Sequence, residues 1–389
     1  MASPAFTVPD PRVFPAIDSA PPALRTLYAI AESSLAAESQ QRADACDRDL
    51  YAELAKLLDG DGATLAAALS RAPSVTVTRH LWRVLDSVWA ATAADQGVAV
   101  TVFALPLVIV SGLEGAGDEG SLSGVLRHPE TLIAILRDHD ALAGNRTFAI
   151  ANALVAAEAI DIARLAEIGA WRRMPDALAP GAMLPARTLL PAPIAVPAGR
   201  EAVNLRFVVG TAIAKAGADL LADSNVGGWG IPFAQALARE IATDGASVLV
   251  LPRAPQRLLS AVSGGRAAQR EVSAQIFASN AIRRFRGRVG EPSAVISAHR
   301  APDAPGGGEL RLSLSSPFEP LAAEGFRCPL YPLDRAGDVV TMLVELMRDC
   351  RVTDIRTLSG VHADRAPGFG SALLFKPDTI PDTAQITVQ

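Results

Sequence analysis

Apolar residues in the first part of the chain recur with the period of a helix. Between Pro22 and Gln96, Leu24, Leu27, Tyr28 and Ala31 fall at i, i+3, i+4 and i+7, and Leu81, Val84, Leu85 and Val88 repeat the stripe. Asp59-Gly-Asp-Gly62 interrupts it. The pattern then changes: Gly97 to Leu113 is uncharged throughout, rich in β-branched residues and short of a spanning helix, with Pro106 at its middle. A buried strand is expected there, or two short ones broken at the proline. Helical patterns are expected again over 129–142 and 145–170.

The second half reads as strands. Apolar, β-rich runs at 204–213, 246–252, 293–299, 309–315, 353–359 and 371–376 predict them. Helices are expected between some of these. Ala234, Leu237, Ala238 and Ile241 share a face, as do Val339, Leu343, Leu346, Met347 and Cys350 after a capping Asp338. Only a Pro/Gly-rich loop parts 293–299 from 309–315, so the two are expected to form a hairpin. From 246 onward the order is strand, helix, strand, strand, helix, strand, the split β-α-β arrangement of a ferredoxin-like layer. The expected class is therefore α+β, with a helix-rich N-terminal region before a C-terminal α/β sandwich. Proline density sets the expected boundaries: an extended arm at 1–22, a helix-rich domain at 23–174, a linker at 175–200, an α+β domain at 201–377 and a tail at 378–389.

Composition narrows the function classes. Half of the 389 residues are apolar and the net charge is -5, which excludes a disordered polymer and the basic excess of a general nucleic-acid binder. All but Lys56, Lys215 and Lys376 of the 36 basic residues are arginine, a bias that reads as a GC-rich bacterial genome. The imbalance is uneven along the chain: residues 1–175 carry 14 basic and 21 acidic groups, so any anion site is expected in the remainder. Cys46, Cys328 and Cys350 form no close pair, which argues for a reducing cytoplasm and against a zinc site. The arm has neither the basic start nor the apolar core of a secretory signal.

Candidate chemistry is sparse. Gly115-Ala-Gly-Asp-Glu-Gly120 matches the dinucleotide spacing, yet Glu114, Asp118 and Glu119 would face the pyrophosphate, so an acidic surface loop is the better reading. A second glycine cluster leads into a helix expected to start near Pro232. There Gly227, Gly228 and Gly230 would let an anion approach the free N–H groups of Phe233 and Ala234, with Arg253, Arg283 and Arg284 nearby in the sequence. The arginines of 253–288 otherwise read as a solvated helix end favoured by the helix dipole. His299 and His362 fall at the carboxyl ends of expected strands and, with Asp364, are the weak catalytic candidates. No metal site and no cofactor is expected.

With so little catalytic signal, the leading expectation is an assembly or partner-binding role, through self-association or a protein partner. The arm and the alternating tail Thr383–Gln389 are suited to adding a strand to a neighbour's sheet. The alternative is an enzyme or sensor domain that binds a phosphorylated small molecule in the C-terminal domain.

Overall fold

The computed structural model describes residues 9–90, 98–112, 120–142, 148–160, 191–197, 201–215, 221, 225–242, 247–302, 304, 306–316, 323–362 and 385–388. The chain is an α+β protein of two compact units. One is Ala16–Gln269; the other joins Met1–Pro15 to Arg270–Gln389.

The unit of 16–269 opens with four helices, α1 (Pro22–Leu35), α2 (Gln40–Gly60), α3 (Gly62–Ser70) and α4 (Val75–Ala90). The expected break at 59–62 separates α2 from α3, where Asp61 caps the new helix by accepting from Thr64 N–H at 2.9 Å. Leu24, Leu27, Leu50, Leu54, Leu65, Leu81 and Leu85 are buried together in the bundle. Tyr28 is buried with them and donates to Ala68 O at 3.0 Å; loss of solvent pushes its phenol up to about 12.

Behind the helices lies a sheet in the order β3 (Phe148–Val155), β5 (Ala202–Lys215), β1 (Val98–Ser111), β6 (Val248–Pro252), with β7 (Gln256–Arg257) also on β1. Alternation gives the sheet two apolar faces. Val102, Ala104, Leu205, Phe207 and Val209 pack toward α1–α4. Phe103, Leu105, Leu107, Val208 and Ala212 pack toward α5 (Pro129–Asp138) and α6 (Val226–Ile241). A short pair, β2 (Gly120–Leu122) with β4 (Ile194–Val196), completes this unit.

Two expectations change here. The apolar run is one strand that continues through Pro106, paired with β5 from Val98↔Lys215 to Ser111↔Ala202. A strand residue points its N–H and C=O to the same side, and Pro106 O accepts from Arg253 N at 2.9 Å, just beyond β6. The N–H that proline lacks therefore falls in the gap between β6 and β7, where no ladder bond is required. The helix expected over 145–170 is, in its described part, strand β3 and a 3-10 turn at Ala157–Ala159. An alanine-rich run buried on both faces has no period to distinguish helix from strand, and pairing with β5 decides it.

The second unit is built on a sheet in the order β10 (Ala323–Pro329), β9 (Gly308–Ser315), β8 (Ser293–Arg300), β11 (Ile355–His362), β12 (Gln385–Val388). The β8–β9 hairpin forms as expected, and β8 and β11 run parallel. One face is covered by the carboxyl part of α7 (Leu258–Arg288) and by α8 (Ala336–Asp349), through Ala278, Ile282, Phe285, Ile296, Leu310, Leu312, Leu343 and Met347. Asp338 lies in the first turn of α8 rather than at its cap. The ferredoxin-like order is not formed as expected: 248–252 joins the other sheet, and β10 stands before α8. The run at 371–376 lies outside the described residues.

The division also differs from a linker at 175–200, since β3 and β5 from either side of that stretch pair in one sheet. The arm belongs instead with residue 270 onward. Arg12, with its side chain 2% exposed, donates to Tyr331 O at 2.7 Å, Asp334 O at 2.6 Å and the Asp10 carboxylate. Asp334 in turn holds Arg270 through both oxygens and accepts from Tyr331 N–H at 2.8 Å. Burial disfavours the Arg270 charge, but the Asp334 hydrogen bonds and charge outweigh this and raise its pKa above the ordinary guanidinium value.

No helix among the described residues is long and apolar enough to cross a membrane.

Candidate functional site

The face of the second sheet away from α7 and α8 is polar, and much of it is buried. Alternation along β8 and β9 sends Ala294, Ile296, Ala298, Leu310, Leu312 and Leu314 to the helices, and their neighbours to the other side. That other side carries Ser297, His299, Glu309, Arg311, Ser313 and Ser315, all buried. Cross-strand register arranges them in rows. His362, His299 and Glu309 stand side by side on β11, β8 and β9. Ser297, Arg311 and Arg327 form the next row on β8, β9 and β10.

The two histidines pair because of an irregularity in β11. Thr357 is opposite Ile296, yet Val361 is opposite Ala298, so β11 holds two more residues than β8 over this interval. Gly360, at φ +103, supplies a backbone angle that side chains rarely adopt. Without the bulge Gly360 would face His299; with it, His362 does. The ring centroids are 5.5 Å apart with planes tilted by 39°.

Hydrogen bonds hold the remainder. His299 Nε2 lies 2.8 Å from Ser297 Oγ. Glu309 is 2% exposed and accepts from Arg311 Nε and from Arg327 Nε at 2.8 Å, a pairing that a buried carboxylate requires. Two guanidinium groups of one row thus reach the single carboxylate of the other. The Arg327 side chain is 48% exposed, which leaves that margin of the face open to solvent, and His362 is half-buried at the other.

Of the residues singled out from sequence, the fold therefore brings His299 and His362 together, while Asp364 lies outside the described residues. The glycine-cluster candidates are arranged differently from the expectation. Helix α6 begins at Val226, with Asn225 as its cap accepting from Gly227 N–H at 3.0 Å, and Pro232 lies inside it. Phe233 and Ala234 are thus in the third turn, where backbone N–H groups are used within the helix. Phe233 is buried edge-on against Trp229 at 5.6 Å, and a side chain at Gly230 would press on Val226. Gly228 is exposed with open space around it.

The arginine candidates divide as well. Arg253 belongs to the unit of α6, whereas Arg283 and Arg284 belong to the other. Arg284 is engaged by Glu324, and Arg283 donates to Asn280 Oδ1 at 3.0 Å. Of the acidic loop at 113–120 only Gly120 is described, at the start of β2.

Sequence reading missed Ser297, Glu309, Arg311 and Arg327. The alternation Glu309-Leu-Arg-Leu-Ser-Leu-Ser315 did announce one polar face. That the face is buried was not visible in it. Cys328 is on the helix side, where burial pushes its thiol up to about 12 and makes it a poor nucleophile. Comparison with protein-family models, with curated proteins and with solved structures gives no match, so the geometry alone bears on function.

Proposed function

We propose that the protein binds a small phosphorylated molecule on the polar face of the sheet formed by β8–β11, as a sensor or as the binding domain of an enzyme. The observation that carries this reading is the pairing of His299 with His362 beside the Arg311–Glu309–Arg327 group. Arginine forks match phosphate oxygens, and an imidazole N–H is a further donor to them. Burying such groups costs free energy that an apolar sheet face would avoid, which supports their retention for a ligand. The Ser297–His299 contact places a hydroxyl beside a base, the pairing that general-base chemistry needs. Unpaired thiols at Cys46, Cys328 and Cys350 support a reducing, cytoplasmic setting.

Assembly is the weaker reading, because the features that suggested it are engaged within the chain. Arg12 ties the arm to the loop before α8, and Gln385–Val388 pairs with β11.

The test is a panel of sugar phosphates, nucleotides and inorganic phosphate added to the full chain while its melting is followed. A ligand at a hundred times its dissociation constant stabilises by about 2.7 kcal/mol. The gain is expected to disappear in His362→Gln and in Arg327→Ala, the second of which alters an exposed side chain. No gain across the panel, or a gain that survives both substitutions, overturns the proposal.

A further inference from the structure

A second cluster lies in the other unit, in a cleft between α2 and α4. The cleft has a volume of about 610 Å³ and is lined by Asp47, Arg48, Tyr51, Arg83, Val84 and Ser87. That size is within the range of small-molecule sites. Helical spacing explains the convergence: Asp47 and Tyr51 are one turn apart on α2, and His80, Arg83, Val84 and Ser87 follow i, i+3, i+4, i+7 on α4.

Asp47 is saturated. Its Oδ1 accepts from Ser34 Oγ and lies 3.0 Å from His80 Nε2, while Oδ2 accepts from Arg83 Nη2 at 3.0 Å. The same Nη2 is 2.9 Å from His80 Nδ1. Arginine only donates, so Nδ1 is the lone-pair nitrogen and the imidazole is neutral with its proton on Nε2. The donors around the cleft, by contrast, are in excess. Arg83 uses only Nη2, and among the described residues neither the Arg48 guanidinium nor the Tyr51 hydroxyl makes a hydrogen bond or ion pair. Val84 and the Tyr51 ring give the wall an apolar part.

We propose that this cleft binds a phosphate monoester with an apolar or aromatic body, its phosphate on Arg48, Arg83 and the Tyr51 hydroxyl and its body against Val84 and the Tyr51 ring. Asp47 fixes Arg83, and the two guanidinium charges of Arg48 and Arg83 outnumber its single negative charge in the lining. Its links to Ser34, His80 and Arg83 make it a positioning residue. The inference is independent of the sheet-face proposal, since the two sites share no residue and lie in different units.

The experiment is calorimetric titration of the full chain with phenyl phosphate, inorganic phosphate and phenol. Phenyl phosphate is expected to bind with saturable heat and more tightly than either fragment. Charge-assisted bonds of this kind imply a loss of about tenfold or more in Arg48→Ala, which removes no hydrogen bond or ion pair among the described residues, and a smaller loss in Tyr51→Phe. The heat that Arg48→Ala loses is expected to remain in Arg327→Ala, which alters only the sheet face. The proposal is overturned if phenyl phosphate gives no saturable heat or if Arg48→Ala binds unchanged. It is equally overturned if only Arg327→Ala loses binding, a result that would assign the ligand to the sheet face.

Discussion

His80 shows how a single residue can be charged with opposite demands. Burial lowers its pKa from the ordinary 6.5, Asp47 works against that shift, and the Arg83 charge adds to it. A histidine kept neutral in the fold binds fewer protons than in the unfolded chain, so stability from this group is full above 6.5 and is lost as pH falls toward its folded value. NMR titration is expected to show the His80 ring still neutral below pH 6.5. In Asp47→Asn the midpoint is expected to move lower still, because the carboxylate is what favours its protonation. A ring that titrates at the ordinary value would contradict the network drawn around it. Gly210 illustrates a packing demand: a Cβ there would stand 2.5 Å from the Phe103 ring and 2.7 Å from Ala149 O. Neither a buried ring in a sheet interior nor a backbone oxygen yields easily, so Gly210→Ala is expected to cost about 1–3 kcal/mol in chemical denaturation.

Among elements, the decisive one is β11, whose bulge sets which residue stands beside His299. Gly360→Val forces a side chain into a positive φ and is expected to cost about 1–3 kcal/mol. It should also separate the rings, read as loss of mutual chemical-shift perturbation between His299 and His362 on titration. The helices α1–α4 and strands β8 and β9 were legible because amphipathic periods and polar alternation are written locally. Strand β3 was not, since an alanine-rich run buried on both faces fits helix and strand alike. Nor was the true start of α6: Pro232 suggested a first turn, but the Asn225 cap places the helix six residues earlier. A register slip such as that in β11 leaves no trace beyond one glycine, so the site's central pair was visible as two residues and not as a contact.

On the scale of the molecule, the chain returns its first residues to its last unit. Arg12 supplies donors to two carbonyl oxygens in the loop at 331–334, so its loss leaves acceptors buried with Asp10 unpaired. Arg12→Ala is expected to destabilise by about 2–4 kcal/mol. Hydrogen exchange should quicken at 329–335 and in β8 to β11, with α1 to α4 unchanged; uniform loosening of both units would contradict the division. The sequence by itself determined the α+β class, the helical stripes, the main strands and the hairpin, because each rests on local periodicity and turn chemistry. Only the tertiary structure decided that 248–252 pairs with 98–111, that the arm belongs with residue 270 onward, and that polar positions of β8 and β9 are buried. Those outcomes depend on which distant segments meet. Two strands of equal apolar content are equivalent in sequence, and a polar residue in alternation looks the same whether its face meets water or protein.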